Sequence, residues 1–223
     1  MKTKSSPLEP VTYIPARTRL GDTVIAVNNA IVVAKRLRKP VRMMFHPKIF
    51  GFDRKEHARC LQRMDAALHL FDHAGRIHVV DHVSGTTHML EKLPESCYLD
   101  NARKDVQCLQ ARDVICYDLN PNLVNVGKAD RERLREFLEG VAAETMDCHK
   151  VGIERGLIPM IERMRHCRCF VGADSGMAHV AHAIGLEAHL IAFNGAVDRL
   201  KRWHQFNQYV LYHTTDEFIR EFR

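Results

Sequence analysis

The chain has 223 residues, 46% of them hydrophobic, and a formal net charge of +6 at pH 7. This composition is that of a globular protein with a core, in one large domain or two small ones. No apolar run approaches the roughly 20 residues that a membrane span requires, and the polar first ten residues do not form a secretory signal. The seven cysteines lack the spacing of a disulfide framework or a zinc site, so we expect a cytoplasmic protein.

The positive charge favours an anionic partner such as a nucleotide, nucleic acid or an anionic membrane surface. Four basic residues, Lys35, Arg36, Arg38 and Lys39, cluster where the first predicted helix ends. Cations at that end suit the helix dipole, so a solvated face without any specific partner is an equally good interpretation.

The N-terminal half predicts the opening of a parallel α/β sheet. In order, the pattern predicts a strand at 11–15, a helix from Asp22 to Lys39 with Asp22 as its cap, a strand at 41–45, a helix at 53–71 and a strand at 77–80. The alternation of strands and helices then restarts near residue 110. We therefore predict two α/β halves, residues 1–110 and 111–223.

The second half repeats the alternation. In order, the pattern predicts a strand at 113–117, a helix from 128 to about 144, a short strand at 149–152, a helix at 156–166, a strand at 169–171, a helix ending at Gly185, strands at 188–193 and 209–212, and a short final helix. Among these, the stretch from Cys169 to Gly185 carries the clearest functional signal.

That stretch predicts a buried strand, a tight turn at Gly172 and a helix that Asp174 or Ser175 caps. Within the helix, one apolar stripe faces the sheet and His179 lies on the opposite side. The stripe consists of Met177, Val180, Ala181 and Ile184. Gly185 occupies the position where a left-handed residue ends a helix. A helix N-terminus behind a buried strand is an anion-binding site, so we predict an anionic ligand there.

Two motifs together resemble a known family. Arg19-x-Gly21-Asp22 heads the first helix, and Asp174-Ser175-Gly176-x-x-His179 continues through Gly185 to a strand that ends Phe193-Asn194-Gly195. With Val126-Gly127-Lys128 ahead of another helix, these residues resemble the ADP-heptose:lipopolysaccharide heptosyltransferase-like glycosyltransferases of family 9. The inserted Asn194 and the shorter chain depart from that pattern, and residues 46–110 match nothing in it.

The resemblance implies a compact, GT-B-like pair of Rossmann-like parallel-sheet halves. The half at 1–110 is expected to hold the acceptor, a glycan or lipid-linked sugar, with a peripheral membrane contact as a further expected partner, and the half at 111–223 to bind a nucleotide-diphosphate sugar. Asp22 is the expected general base. Donor binding falls to Lys128, Asp174, Ser175, Gly176, Met177 and His179, without a metal or other cofactor. Arg199, Lys201 or Arg202 is a reserve cation, and Trp203 is either a core anchor or a sugar platform.

The chemistry of these residues agrees with those roles. Departure of a nucleoside diphosphate builds negative charge, which N–H groups of Ser175, Gly176 and Met177 can meet at a helix N-terminus. The Ser175 hydroxyl and His179 can donate further hydrogen bonds, and Lys128 can add a positive charge.

Simpler interpretations remain open for each residue. Asp22 can be a cap, Asp174 can shape the turn, His179 can face solvent and Lys128 can be an ordinary surface lysine. Two other functions also remain open at this stage: a non-catalytic module that binds a nucleotide or phosphate, and a glycosyltransferase that acts on modified DNA.

Overall fold

The computed structural model describes residues 11–13, 19–44, 53–71, 76–80, 113–120, 126–193, 197–198 and 209–222. The chain divides into two compact units, Met1–Asn101 and Ala102–Arg223. The boundary predicted between residues 110 and 111 lies outside the described residues. None of the helices in the described ranges has the length and hydropathy that crossing a membrane requires.

Unit 1 (Met1–Asn101) contains a three-stranded sheet in the order β1-β2-β3, and both strand pairs are parallel. Its described elements are β1 (Val11–Tyr13), α1 (Leu20–Leu37), β2 (Val41–Met44), α2 (Arg54–His69) and β3 (Ile77–Val80). Helices α1 and α2 pack against each other, and α1 supplies much of the buried apolar surface. The element types predicted for this half are confirmed.

The start of α1 differs from the prediction. The helix begins at Leu20 with Arg19 in the N-cap position, and no side chain caps it. The carbonyl of Arg19 already accepts the Thr23 N–H at 2.9 Å and the Thr23 hydroxyl at 2.9 Å, so the helical bonding pattern starts before Asp22. Asp22 is therefore the third residue of the helix, where a carboxylate suits the positive end of the dipole, and is not its N-cap.

Unit 2 (Ala102–Arg223) is built on a five-stranded sheet in the order β5-β4-β6-β7-β8, and each strand pair is parallel. Its strands are β4 (Val114–Asp118), β5 (Glu144–Asp147), β6 (Cys169–Gly172), β7 (Ala188–Ile191) and β8 (Tyr209–Tyr212). Its helices are α3 (Lys128–Val141), α4 (Cys148–Arg155), α5 (Leu157–Met164), α6 (Gly176–Ala183) and α7 (Thr215–Glu221). The predicted α/β class with parallel sheets is thus confirmed in both units.

One predicted strand was wrong. Residues 149–152 belong to α4, and the strand precedes them as β5. The Asp147 carboxylate accepts the Lys150 N–H at 3.0 Å and so starts a helix where the apolar Val151 had indicated a strand. In β5 only Met146 is fully buried, because β5 lies at the edge of the sheet and its polar residues face outward.

Helix α6 ends as predicted. Gly185 has φ 71°, in the left-handed region. Its N–H donates to the His182 carbonyl at 3.0 Å, and the Leu186 N–H donates to the Ala181 carbonyl at 2.9 Å. These two bonds form a Schellman motif, and buried Leu186 closes the turn over the helix end.

The helix itself is more deeply buried than the predicted stripe implied. Ala178, Val180, Ala181 and Ile184 are buried, but so are the side chains on the other faces, including His179 and His182. Met177, which the stripe included, is only partly buried. The prediction that only one apolar face of this helix is buried was therefore wrong.

Candidate functional site

In the sheet of unit 2, the order in which successive strands are added reverses beside β4. After β4 the chain places β5 on one side of it, and β6 then pairs with its other side. In parallel α/β sheets, ligands bind beyond the carboxyl ends of the strands at such a switch point. Helices α3, α4 and α6 follow β4, β5 and β6 respectively, so their N-termini face this same edge.

The two strands at the switch point end side by side. Asp118 of β4 and Gly172 of β6 are register partners. A Cβ atom on Gly172 would lie 2.9 Å from the Phe170 ring and 3.1 Å from the Asp118 carbonyl oxygen. Glycine is therefore required here, because any larger residue would push β4 and β6 apart at the point from which the turn to α6 departs.

Ser175 is the most unusual residue of that turn. It is the N-cap residue of α6, in extended conformation, but its side chain does not cap the helix. The residue is 9% exposed, and its buried hydroxyl oxygen makes no hydrogen bond of normal geometry to any residue in the part of the chain that the structure describes. A buried hydroxyl without a partner costs free energy, so its retention points to a ligand that supplies an acceptor. The prediction that Ser175 caps the helix was wrong.

Asp118 lies beneath the same turn. Its carboxylate is buried and accepts the Asn120 N–H at 3.3 Å. Burial raises the pKa of Asp118, while the nearby Ser175 hydroxyl, the Asn120 N–H and His149 act in the opposite direction. Ser175 thus lies close to this carboxylate without meeting it in a hydrogen bond of normal geometry.

Asn120 connects the switch point to α4. Its side-chain amide lies 3.1 Å from Nδ1 of His149, which stands in the first turn of α4. Both residues are only partly buried, and both lie at this edge of the sheet.

His179 stands one turn into α6. It is 7% exposed, so the open alternative of a solvent-facing histidine is corrected by the structure. Burial lowers the pKa of His179 to about 4, and the negative charge of Asp174 offsets part of that effect. At neutral pH the ring is therefore uncharged, and it can act as a hydrogen-bond donor but not as a cation.

Lys128 begins α3, and Gly127 precedes it as the N-cap. Its side chain is 81% exposed and its ammonium group lies 3.7 Å from the Glu132 carboxylate, an i,i+4 pair of the kind that contributes little to stability. This residue is at the correct edge of the sheet to supply a mobile positive charge. Asp174, Gly176 and Met177 are partly buried at the turn before α6 or in its first turn.

Other predicted residues belong to unit 1, lie outside the described residues or are buried in the core. Asp22 belongs to unit 1. Arg199, Lys201, Arg202 and Trp203 lie outside the described residues, as do Asn194 and Gly195. Phe193 is buried in the core cluster of unit 2 and so cannot contact a ligand.

Sequence reasoning missed Asp118, Asn120 and His149. The signal for the first two was present, because a polar pair directly after a buried strand marks the carboxyl edge of a parallel sheet. Those residues were instead interpreted as a simple turn. His149 gave no local signal, since its role depends on a contact with a residue 29 positions earlier.

Metal ligation is not evident in the part of the chain that the structure describes, where no group of three or more His, Cys, Asp or Glu is placed to hold an ion.

The family model of glycosyltransferase family 9 (heptosyltransferase) matches residues 123–207. The matched region lies within unit 2 and includes α3, the turn at Ser175 and α6. The parallel α/β architecture is compatible with the Rossmann-like GT-B fold of that family. No curated protein and no solved structure matches the chain.

Proposed function

We propose, from the match of residues 123–207 to the family model of glycosyltransferase family 9 (heptosyltransferase), that the chain is a heptosyltransferase-like glycosyltransferase that transfers a sugar from a nucleotide-diphosphate sugar to an acceptor hydroxyl. The observation that carries the proposal is the buried Ser175 hydroxyl at the uncapped N-terminus of α6, which has no hydrogen-bond partner among the described residues. A diphosphate oxygen at this position supplies the missing acceptor.

The diphosphate interacts first with the backbone of the turn. N–H groups of Gly176 and Met177, in the first turn of α6, point toward an anion at the helix N-terminus, where the dipole is positive. The neighbouring helices differ in this respect, because Asp130 occupies the first turn of α3 and Asp147 caps α4. Among these three helices, only α6 has neither an acidic residue in its first turn nor a side-chain cap.

Side chains complete the cradle. The neutral ring of His179 donates a hydrogen bond without adding charge, since burial holds its pKa at about 4. Lys128 contributes the positive charge, and Asp174 shapes the turn. We assign Asn120 and His149 to the nucleotide end of the donor, because their linked side chains extend the edge away from α6.

Negative charge develops on the diphosphate as the bond from the anomeric carbon to the leaving oxygen breaks. Donors that are already in place stabilise that charge more in the transition state than in the ground state. We propose that the helix N-terminus, Ser175 and Lys128 do this without a divalent cation.

Asp22 is proposed as the general base that removes the proton of the acceptor hydroxyl. This assignment is supported by the Arg19-x-Gly21-Asp22 pattern and by the position of Asp22 in the first turn of α1. The reaction requires a base because a neutral sugar hydroxyl is a weak nucleophile.

We place the reaction in the cytoplasm. The cysteines of the described residues are free thiols: Cys60, Cys116, Cys148, Cys167 and Cys169. All five are buried, as small apolar core residues are in a reducing compartment.

The test combines binding with turnover. Nucleoside diphosphates and nucleotide sugars are screened by thermal shift, where ligand at one hundred times its Kd stabilises the native state by about 2.7 kcal/mol. Release of nucleoside diphosphate is then followed with glycan, lipid-linked sugar and modified DNA acceptors, with and without EDTA. Asp22→Asn is expected to lower turnover about 100- to 10,000-fold and to leave the thermal shift intact.

Asp65→Asn is the matched control, because Asp65 is an exposed carboxylate on α2 of the same unit. Wild-type binding without any turnover on any acceptor would indicate a non-catalytic module. Turnover with the DNA acceptor alone would identify modified DNA, and not a glycan or lipid-linked sugar, as the acceptor. Loss of turnover with EDTA would contradict the proposed metal independence.

A further inference from the structure

Unit 1 contains a basic pocket at the opposite end of α1 from Asp22. The surface hollow has a volume of about 310 Å³ and is lined by Ala34, Lys35, Arg38, Lys39, Pro40 and Arg76. Four of these six residues are cations, and none of the six is acidic. Helix α1 has 18 residues, so its two ends are about 27 Å apart.

The helix dipole explains only part of this charge. Lys35 lies in the last turn of α1, where a cation is favourable. Arg76 comes from a different segment, directly before β3, where its carbonyl accepts the Val41 N–H at 2.8 Å. The start of β3 is thereby fixed against the start of β2, and this pairing brings a guanidinium from a distant part of the sequence to the end of α1.

The backbone of Arg38 is a second, independent observation. Arg38 ends the helix with φ 52° and ψ 38°, the left-handed conformation that glycine adopts without steric cost. An arginine at this position is strained, and strained backbone is concentrated at ligand sites. Lys39 follows it, and its N–H is held by the Ala34 carbonyl at 3.2 Å.

We infer that this pocket is a binding site for a phosphoryl group, separate from the donor site. The guanidinium groups of the two arginines can each bind phosphate oxygens in bidentate geometry. The ammonium groups of the two lysines add positive charge and require no particular orientation. Four cations suit a phosphate or diphosphate better than a carboxylate, which carries a single charge. The group belongs either to a small free anion or to the headgroup of an anionic lipid.

The pocket variant is Arg38→Asn combined with Lys39→Gln. Asparagine tolerates the left-handed conformation, so Arg38→Asn retains the helix end. Together the two substitutions remove two positive charges. The matched control is Arg36→Gln combined with Arg42→Gln. Both of those arginines are exposed, and neither lines the pocket. The two double variants therefore have the same net charge.

Pyrophosphate is titrated calorimetrically into full-length chains that also carry Ser175→Ala, which weakens its binding at α6. In parallel, sedimentation is measured with vesicles of phosphatidylglycerol and of phosphatidylcholine. We expect the pocket variant to lose affinity at least about tenfold for pyrophosphate or for the anionic vesicles, and the control less than threefold. Loss for pyrophosphate identifies a small-anion site, and loss for the anionic vesicles alone identifies a headgroup site.

Equal losses of affinity in the two double variants would show that only net charge matters, and this would contradict a specific binding site in the pocket. Unchanged binding in the pocket variant, or no binding of either probe by the Ser175→Ala parent, would do the same. The nucleoside-diphosphate thermal shift, measured with Ser175 intact, remains unchanged in the pocket variant. A failure of this inference is thereby distinguished from a failure of the proposed function.

Discussion

Asp118 and Gly172 are register partners at the adjacent carboxyl ends of β4 and β6, and the Asp118 carbonyl oxygen lies 3.1 Å from the point that a Cβ on Gly172 would occupy. This contact sets the spacing of the two strands where the sheet reverses its order. The turn that carries Ser175 departs from that point. The position of the proposed diphosphate cradle thus depends on the close approach of the Asp118 carbonyl to Gly172, which is possible because glycine has no side chain.

Replacing Gly172 by alanine should destabilise the chain. The new methyl group meets Phe170 at 2.9 Å and the Asp118 carbonyl at 3.1 Å, and relief of such overpacking costs about 1–3 kcal/mol. Denaturant unfolding measures the loss. Gly140→Ala is the control, because its Cβ would meet nothing within 4 Å and alanine favours a helix, so it should gain up to about 1 kcal/mol. Equal effects of the two substitutions would contradict the contact.

Ser175→Ala should separate binding from stability. Among the residues that the structure describes, the hydroxyl makes no hydrogen bond of normal geometry, so its removal should leave the free energy of unfolding unchanged or raise it by up to about 1 kcal/mol. Donor affinity, measured by calorimetry, should fall about tenfold because a hydrogen bond to a charged oxygen is lost.

Thr215→Ala is the opposite control for that experiment. The Thr215 hydroxyl is also buried but donates to the Asp130 carboxylate at 3.1 Å. Its removal should cost about 1 kcal/mol of stability and leave donor affinity unchanged. A Ser175→Ala protein that is less stable yet binds the donor normally would assign Ser175 to the fold alone.

Acid should destabilise unit 2 through His179. Its pKa lies at about 4 in the folded state against 6.5 for an ordinary histidine. Below pH 6.5 the unfolded chain therefore binds a proton that the folded chain does not. Stability present above pH 6.5 is lost progressively down to about pH 4, by about 3 kcal/mol in total.

His179→Gln should flatten that loss when the free energy of unfolding is measured from pH 8 to pH 4. His78→Gln, the same substitution at an exposed position, is the control. Burial also lowers the pKa of His189, so part of the acid dependence should remain in the His179 variant. A full wild-type slope in His179→Gln would show that His179 does not cause it.

Asp118 should have the opposite pH dependence. Burial raises its pKa, so its contribution to stability is present at low pH and is lost as pH rises through the folded-state value. Asp118→Asn retains an acceptor for the Asn120 N–H and removes the buried charge. At pH 7 it should be as stable as the wild type or more stable by about 1 kcal/mol, and the difference should vanish on acidification. A clear loss of stability in Asp118→Asn at pH 7 would mean that the folded protein fully compensates the charge of the Asp118 carboxylate.

The order of elements in unit 2 could largely be predicted from local patterns. The apolar runs of β6 and β7 are typical of buried parallel strands, and Gly185 is a standard helix stop. Strand β5 was missed because an edge strand needs few apolar residues, and Glu144–Asp147 has only one that is fully buried.

The details of the site could not be predicted in the same way. Periodicity places His179 away from the main apolar stripe, but whether that face meets solvent depends on what packs against it. The same holds for Ser175, whose position at a helix start suggests a cap, whereas the backbone turn directs its hydroxyl elsewhere. The contact between Asn120 and His149 requires β4 and β5 to pair first.

The core cluster of unit 2 includes Ile115 and Leu134 together with Phe218 and Phe222. Each described strand pair is parallel, so successive strands are joined by crossovers and not by hairpins. During synthesis, the apolar strands β4 and β6 therefore leave the ribosome well before the aromatic side chains that cover them. A chain stalled ahead of residue 218 should retain those strands uncovered and depend on chaperones to stay unaggregated.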